Sequence, residues 1–403
     1  MNVLFLTLVS FDSLQERNIY SDLLREFVKN GHMIYAVSPV EKRQGKATHI
    51  KTEKNAVILR LQTGNTQKTN LIEKGISTVL LEPAYKRAIK KYFSDVKFDL
   101  ILYSTPPITL VGAIEYVKKR DEAKTYLLLK DIFPQNAVDI GMMSSTGIKG
   151  LLYKHFRRQE KRLYLLSDRI GCMSPANVKY VIEHNPEISP NVVEVCPNSI
   201  DIIDKSVDDK TRSKIRKKYN IPPDKRIFVY GGNLGKPQGI SFLIACIEKC
   251  KDINDVFFLI IGSGTEYSLI YNYVEEEKPN NILLMSRLPK EDYDAMVGAC
   301  DVGMIFLDHR FTIPNFPSRL LAYMQAKLPI LAVTDPNTDI GKIIVNSSFG
   351  WWCESNDSDN VRSTINKILS ENLREKGEHG FAYLTSHYSV MEAYEKIVRK
   401  DGE

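Results

Sequence analysis

Three stretches of the 403-residue chain combine residue types that handle anions and protons. The longest, Phe311 to Ala332 (FTIPNFPSRLLAYMQAKLPILA), reads as a loop, a short helix and an apolar strand. Pro314 and Pro317 stiffen the loop, Ser318 is placed to cap the helix, and free amides at a helix start attract phosphate. An ordinary loop–helix–strand unit has the same layout, so this stretch gains meaning only from its neighbours. The second, Gly231 to Gly239 (GGNLGKPQG), follows the strand-like RIFVY, and its glycines let backbone amides approach an anion closely. A tight strand-to-helix turn is the plainer reading of the same glycines. The third is Lys130-Asp131-Ile132-Phe133-Pro134, after the apolar TYLLL, where Asp131 can accept a proton, orient a hydroxyl or cap a turn.

The elements that must position these residues alternate along the chain. Strand-like runs NVLFLTL, MIYAVSP, VILRLQ, DLILYS, TYLLLK and DRIGCMS occupy the first half, with a helix expected near Tyr20 to Asn30. The second half repeats the pattern with RIFVYGG, a helix near Ile240 to Cys250, VFFLIIGSG, NILLMSRLP, DVGMIFL and PILAVT. Such alternation is the mark of parallel sheets wound with helices, so both halves read as α/β. The length suits two domains. We place them at residues 1–201 and 225–380, with a polar linker at 202–224 and a terminal helix at 381–403. Ligands of open α/β sheets bind at strand carboxyl ends, and all three stretches fall there.

Composition narrows the classes. The hydrophobic share of 43% and charged share of 26% are those of a globular protein. No apolar run approaches the roughly 20 residues that span a bilayer. Met1-Asn2 leads straight into VLFLTL, too short a run and without the basic start of a secretory signal, which makes the cytosol the expected compartment. Six cysteines are scattered without metal-ligand spacing and read as buried thiols. There is no Asp-x-Asp motif or clustered His/Cys set, so a metal is not expected.

Six landmarks then follow one another over nearly the whole chain: Asn30-Gly31-His32, Pro197-Asn198-Ser199-Ile200-Asp201, Gly231 to Gly235, Gly262 to Glu266, Cys300 to Gly303, and Pro317 to Pro329. Their order and spacing resemble the retaining glycosyltransferases of family 4. The closest likeness is to bacterial capsule and O-antigen enzymes that add an amino sugar to a lipid-linked intermediate. The resemblance implies the GT-B fold, two facing Rossmann-like domains with a cleft between them, and a nucleotide-sugar co-substrate, expected to be a UDP-sugar, with no further cofactor. It assigns donor binding to Gly232, Asn233, Gly235, Gln238, Gly264, Asn315, Phe316 and Ser318. It also implies that the departing diphosphate itself takes the acceptor proton, without a protein nucleophile.

The chain departs from that family in two places. Asn233 and Gln238 stand where relatives carry an arginine and a lysine for the donor pyrophosphate. Lys236 and Arg319 are the cations left to stabilise a departing diphosphate. The family's pair of glutamates falls on Pro314 and Ala322, although a Pro-Ser-Lys or Pro-Ser-Arg version of the loop occurs in related polysaccharide enzymes and fits Pro317-Ser318-Arg319. On the acceptor side, Asp131 matches the acidic member of a His-Asp or Glu-Asp pair. Asp12, Glu16 and Arg17 make the first loop polar where many relatives are glycine-rich.

Two basic stretches remain. KGLLYKHFRRQEKR, from Lys149 to Arg162, interleaves Lys154, Arg157 and Arg158 with Phe156 and other apolar residues; YKRAIKKY, from Tyr85 to Tyr92, carries Lys86, Arg87 and Lys90. Either is a solvated helix face or a surface for anionic lipid. No nucleic-acid-binding module accompanies them. The reading is therefore a cytoplasmic glycosyltransferase on the inner membrane face, acting on a polyprenyl-diphosphate-linked saccharide, with the oligomeric state open. Its rivals are a non-catalytic glycosyltransferase-like subunit, motivated by the missing charges, and a GT-B nucleotide-sugar epimerase.

Overall fold

The computed structural model describes residues 1–65, 71–148 and 150–399. Lys149, which opens the first basic stretch, and residues 400–403 of the tail lie outside the described residues. The chain divides into two compact units: Met1–Asp201 joined by the segment beginning at Val390, and Ile202–Ser389.

In the first unit, β1 (Asn2–Leu6), β2 (Met33–Glu41), β3 (His49–Glu53), β4 (Ala56–Thr63), β5 (Leu100–Ser104), β6 (Lys124–Leu129), β7 (Arg169–Cys172) and β8 (Val193–Val195) form one sheet. Its order is β3-β4-β2-β1-β5-β6-β7-β8, parallel except where β3 pairs with β4. Strands covered on both faces read as unbroken apolar runs, and Leu100–Ser104 is buried at every position. β3 has the sequence HIKTE and lies largely exposed, so apolar patterning gave no sign of it. The helix Ile19–Lys29 starts at Asn18, whose side chain accepts from the Tyr20 and Ser21 amides. It closes through Asn30 and Gly31, the latter at φ +80°, a left-handed conformation that glycine adopts without strain. Arg25 of that helix pairs with Asp201 at 2.6 Å, which ties the Pro197–Asp201 turn back to the start of the unit.

The second unit contains β9 (Arg226–Asn233), β10 (Val256–Ser263), β11 (Ile282–Met285), β12 (Val302–Phe306), β13 (Ile330–Thr334) and β14 (Gly350–Glu354). Their order is β11-β10-β9-β12-β13-β14 and every pairing is parallel. The chain winds one way from β9 through β10 to β11, then crosses to the other side at β12. The crevice beside β9 at this reversal is where such sheets receive ligands.

The segment 202–224, read from sequence as a linker, belongs to the second unit and is helical over Asp209–Lys218. The Asp208 side chain caps that helix by accepting from the Thr211 amide at 2.6 Å. Arg212 and Arg216 on it both reach Asp301 just before β12, and Asp301 also accepts from the Ile227 amide at 2.7 Å. The carboxylate thus joins the helix to the starts of β9 and β12, a physical reason for an aspartate at that landmark. The tail forms two helices, Leu373–His387 in the second unit and Val390–Val398 in the first. On the latter, Tyr394 packs edge-on against Phe27 and its hydroxyl lies 2.8 Å from His32 Nε2.

Arg216 and Asp301 are both almost fully buried, and removing one partner strands the other charge. Asp301→Ala is expected to destabilise the protein by about 3 kcal/mol, read as a lowered urea midpoint at unchanged slope. A loss below about 1 kcal/mol would mean the pair is not the fastening described.

Candidate active site

The site of the second unit is built where β9 and β12 end. After β9 the backbone passes Gly232 at φ +129°, then a tight turn over Lys236–Gln238. Gln238 Oε1 accepts from Asn233 Nδ2 at 2.8 Å and from the Gly235 amide at 3.2 Å. The two residues that replace the expected charges therefore brace the loop from within. Lys236 stands exposed on the turn. The neighbouring loop after β10 lies against this one without side chains between them: a Cβ on Gly262 would fall 2.1 Å from Gly232 O, and one on Gly264 would fall 2.1 Å from Leu234 O. Gly264 serves this backbone approach. A pocket of about 380 Å3 opens at the ends of β9 and β10, lined by Gly232, Asn233, Gly262, Ser263, Arg287 and Tyr293 among others.

The loop from Leu307 to Ser318 is held from the side. Asn337 Nδ2 donates to Phe311 O at 2.6 Å, Thr338 Oγ1 donates to Asn315 O, and the Asp308 amide donates to Pro237 O at 3.0 Å. Phe316, expected against the donor, is buried beside Tyr388, ring centroids 6.1 Å apart. Ser318 occupies the cap position of the helix Arg319–Gln325 but already has helical dihedrals, and its side chain makes no capping bond. A capping side chain needs an extended backbone at that position, which the tight entry after Pro317 does not provide.

Arg319 is the site's distinctive group. Its guanidinium lies over the Tyr230 ring, 4.3 Å from the centroid, and faces Gly232, where a Cβ would stand 3.5 Å from Nη2. Tyr293 and Tyr323 complete its electrostatic surroundings. Burial raises all three phenols, Tyr293 to about 12, so they remain neutral at ordinary pH and leave the arginine's charge uncancelled. Among the described residues no carboxylate pairs with Arg319, and its Nη1 is buried with no hydrogen-bond partner. Asn315 Nδ2, four residues earlier, is likewise buried and unpartnered. Two unpartnered donors, one of them cationic, thus lie on one segment, an arrangement whose chemistry an acceptor-rich anion would satisfy. Tyr230, Tyr293 and Tyr323 escaped sequence reasoning, although the four-residue step from Arg319 to Tyr323 puts both on one helix face.

In the first unit, Asp131 follows β6. Asn136 Nδ2 lies 2.7 and 2.8 Å from its two carboxylate oxygens, and burial pushes it up to about 6. Burial also pulls neighbouring Lys130 down to about 8. Asp12 pairs with the buried Arg60 at 2.8 Å, and Glu16 Oε1 accepts from the Asp12 amide at 2.6 Å. Both acids shape the loop after β1, while Arg17 is exposed on it. Arg60 was not singled out from sequence because it sits inside the apolar run VILRLQ of β4.

The basic stretches also divide by burial. On the helix Gly150–Leu166, Phe156 packs on Phe133 with centroids 5.1 Å apart, and Arg157 bonds Glu160, Asn185 and the His184 carbonyl. These two point inward, contrary to the surface role read from sequence, whereas Lys154 and Arg158 are exposed. In the second stretch Lys86 and Lys90 lie over the Tyr116 ring and Arg87 is exposed. Among the described residues no helix is long and apolar enough to cross a membrane, and no group of three or more His, Cys, Asp or Glu side chains could hold a metal ion. All six cysteines are free and buried.

Residues 211–379 match the family described as glycosyl transferases group 1. That match lies within the second unit. Across 334 residues the chain is 26% identical to the probable glycosyltransferase WbjE of Pseudomonas aeruginosa, covering 82% of this chain and 81% of the relative. It is 22% identical over 212 residues to the putative colanic acid biosynthesis glycosyl transferase WcaI of Escherichia coli K12, 51% of this chain and 49% of that one. Among solved structures, sucrose-phosphate synthase from Thermosynechococcus elongatus superposes with a TM-score of 0.76 at 15% identity, covering 98% of this chain and 97% of that one. Anabaena HepE in complex with UDP-glucose gives 0.69 at 13% identity, with 98% of each chain covered. The architecture is that of GT-B glycosyltransferases, with two parallel-sheet Rossmann-like domains. The matched residues include the loop of Gly231 to Gly239, the pocket lining and Arg319.

Carboxyl-detected NMR should find Asp131 half-protonated at about pH 6, because burial penalises its ionised form. It is then protonated below that pH and charged above it. A midpoint near the ordinary aspartate value of about 4 would show that the carboxyl is solvated rather than enclosed.

Proposed function

We propose that this protein is a retaining, metal-independent glycosyltransferase. It moves a sugar, of which an N-acetylated amino sugar is the favoured class, from a nucleotide donor, with UDP as the favoured carrier, to a lipid-linked saccharide during surface polysaccharide assembly. The observation that carries the donor half is the half-buried guanidinium of Arg319 beside the glycine loop, with Nη1 buried and unpartnered and no carboxylate paired with it among the described residues. A glycosyl bond to a diphosphate breaks with negative charge growing on the leaving oxygen. A fixed cation in a protected site stabilises that charge in the transition state more than in the ground state. Backbone groups of the Gly231 to Gly235 loop and the Asn315 amide supply further donors, and Lys236 adds charge from the rim. The leaving diphosphate takes the acceptor hydroxyl's proton on the same face, and Asp131 orients that hydroxyl. The complexed UDP-glucose of HepE and the names of WbjE and WcaI support the donor class and the polysaccharide setting by likeness.

The membrane part of the reading rests on a surface the structure redefines. Met142, Ile148, Leu151 and Leu152 are 61%, 88%, 64% and 53% exposed, an apolar patch at the start of the helix Gly150–Leu166. Exposed Lys154, His155 and Arg158 flank it, and the only carboxylate from Gly141 to Leu166, Glu160, is buried against Arg157. Apolar contact flanked by the cations Lys154 and Arg158 matches the headgroup layer of an anionic bilayer, each cation contributing about 1 kcal/mol.

Purified protein given UDP-, GDP- and dTDP-sugars with membrane lipid extract should release nucleoside diphosphate from one donor, dependent on the lipid. Arg319→Ala should slow that release about 100-fold or more. Donor binding without release, despite a verified acceptor, would favour the non-catalytic subunit, and conversion of the sugar nucleotide without lipid would favour the epimerase. Sedimentation with vesicles containing phosphatidylserine should carry the wild type down, and Ile148→Ser with Leu151→Ser should leave most of it in solution. Equal sedimentation with neutral vesicles would remove the electrostatic part of the reading.

A further inference from the structure

We infer that the Tyr323 hydroxyl is the positioning group of the donor site, holding the carboxyl halves of β9 and β12 apart and setting Arg319 in the opening. This rests on the reading of Arg319 as the partner of the donor's diphosphate.

The two strands pair only at Phe228↔Val302 and Val229↔Gly303, although β9 runs on to Asn233 and β12 to Phe306. Tyr323 occupies the gap. Its oxygen lies 3.1 Å from the Gly231 amide, from which it accepts, and 3.2 and 3.1 Å from the carbonyls of Val229 and Met304, between which its single proton is shared. One hydroxyl therefore reaches one backbone N–H and two backbone carbonyls at the point where the β9–β12 ladder stops. The ring is fully buried and lies flat on Gly303, where a Cβ would fall 2.4 Å from Tyr323 Cγ. Gly303 is thus the residue that admits the ring.

The consequence reaches the cation through the helix. Arg319 and Tyr323 are four residues apart on Arg319–Gln325, so anchoring the phenol fixes the rotation of the turn from which the arginine leaves. The guanidinium then lands on Tyr230, whose own hydroxyl donates to Asn233 O at 2.7 Å. Tyr323 holds the amide of Gly231 while Arg319 faces Gly232, so one side chain sets both the loop and the charge against it. Tyr323 touches no reacting atom in this scheme.

A double-mutant cycle on the full-length protein separates positioning from mere stability, read by calorimetric binding of UDP with GDP and dTDP in parallel. Tyr323→Phe keeps every ring contact and deletes the hydroxyl. Arg319→Ala is expected to weaken binding of the preferred nucleotide about tenfold or more, and Tyr323→Phe about fivefold, with the double variant within about twofold of Arg319→Ala alone. If the two losses multiply independently, or Tyr323→Phe binds like wild type, the positioning role is overturned while the role of Arg319 stands. If Arg319→Ala binds like wild type, or wild type binds none of the three nucleotides, the reading of Arg319 falls and this inference with it. Should Tyr323→Phe fail to fold, Gly303→Ala, which displaces the ring and keeps the hydroxyl, supplies the second arm with the same expectation.

Discussion

A half-buried guanidinium, its Nη1 shut off from water and, among the described residues, no carboxylate paired with it, is the constraint around which the second unit is organised. Burying an isolated charge is costly, and proteins ordinarily meet the cost with an opposite charge. The contrast with Arg216 is instructive, because that arginine is the more deeply buried of the two but meets Asp301 at 2.7 Å. Arg216 is thereby a fastening with no further capacity, whereas Arg319 is surrounded by neutral phenols and retains its full attraction for an anion. The same residue type is structural in one place and receptive in the other, and the difference lies in the neighbours.

Backbone economy makes room for that charge. The β9 and β10 loops touch through Gly262 and Gly264, and the ring of Tyr323 rests on Gly303. At each of these positions the missing Cβ is a requirement of distance rather than of chain flexibility. The reversal of winding between β9 and β12 provides the crevice, the glycines bring main chain to its edge, and the helix Arg319–Gln325 delivers the cation.

Much of the architecture was legible in the sequence because buried parallel strands announce themselves as apolar runs. VFFLIIGSG and PILAVT became β10 and β13 where patterning placed them. β3 was not legible, since a polar edge strand such as HIKTE has no apolar face to betray it. The glycine loop and Arg319 were identifiable by position, but the site's logic was not. That Asn233 and Gln238 bond each other is set by the turn between them, and that Phe316 turns to Tyr388 and Phe156 and Arg157 face inward are outcomes of packing among residues far apart in sequence. Amphipathic spacing marked the helix Gly150–Leu166 correctly. It could not say which of two adjoining faces the core would take, and the exposed apolar residues proved to be Leu151 and Leu152 near the helix start and Leu165 near its end.

The helix Val390–Val398 returns to the first unit after the whole of the second has been traversed. Ala393 and Ile397 are buried in the same cluster as Phe5, Phe27 and Leu102, so this helix is part of that unit's core rather than an appendage. During synthesis the first unit leaves the ribosome first, and domains generally fold as they emerge. Here the opening sheet must wait through nearly two hundred further residues for the element that seals it. The half of the protein that is made first is completed last, and until then Phe27 and His32 lack the Tyr394 ring and hydroxyl that meet them in the finished fold.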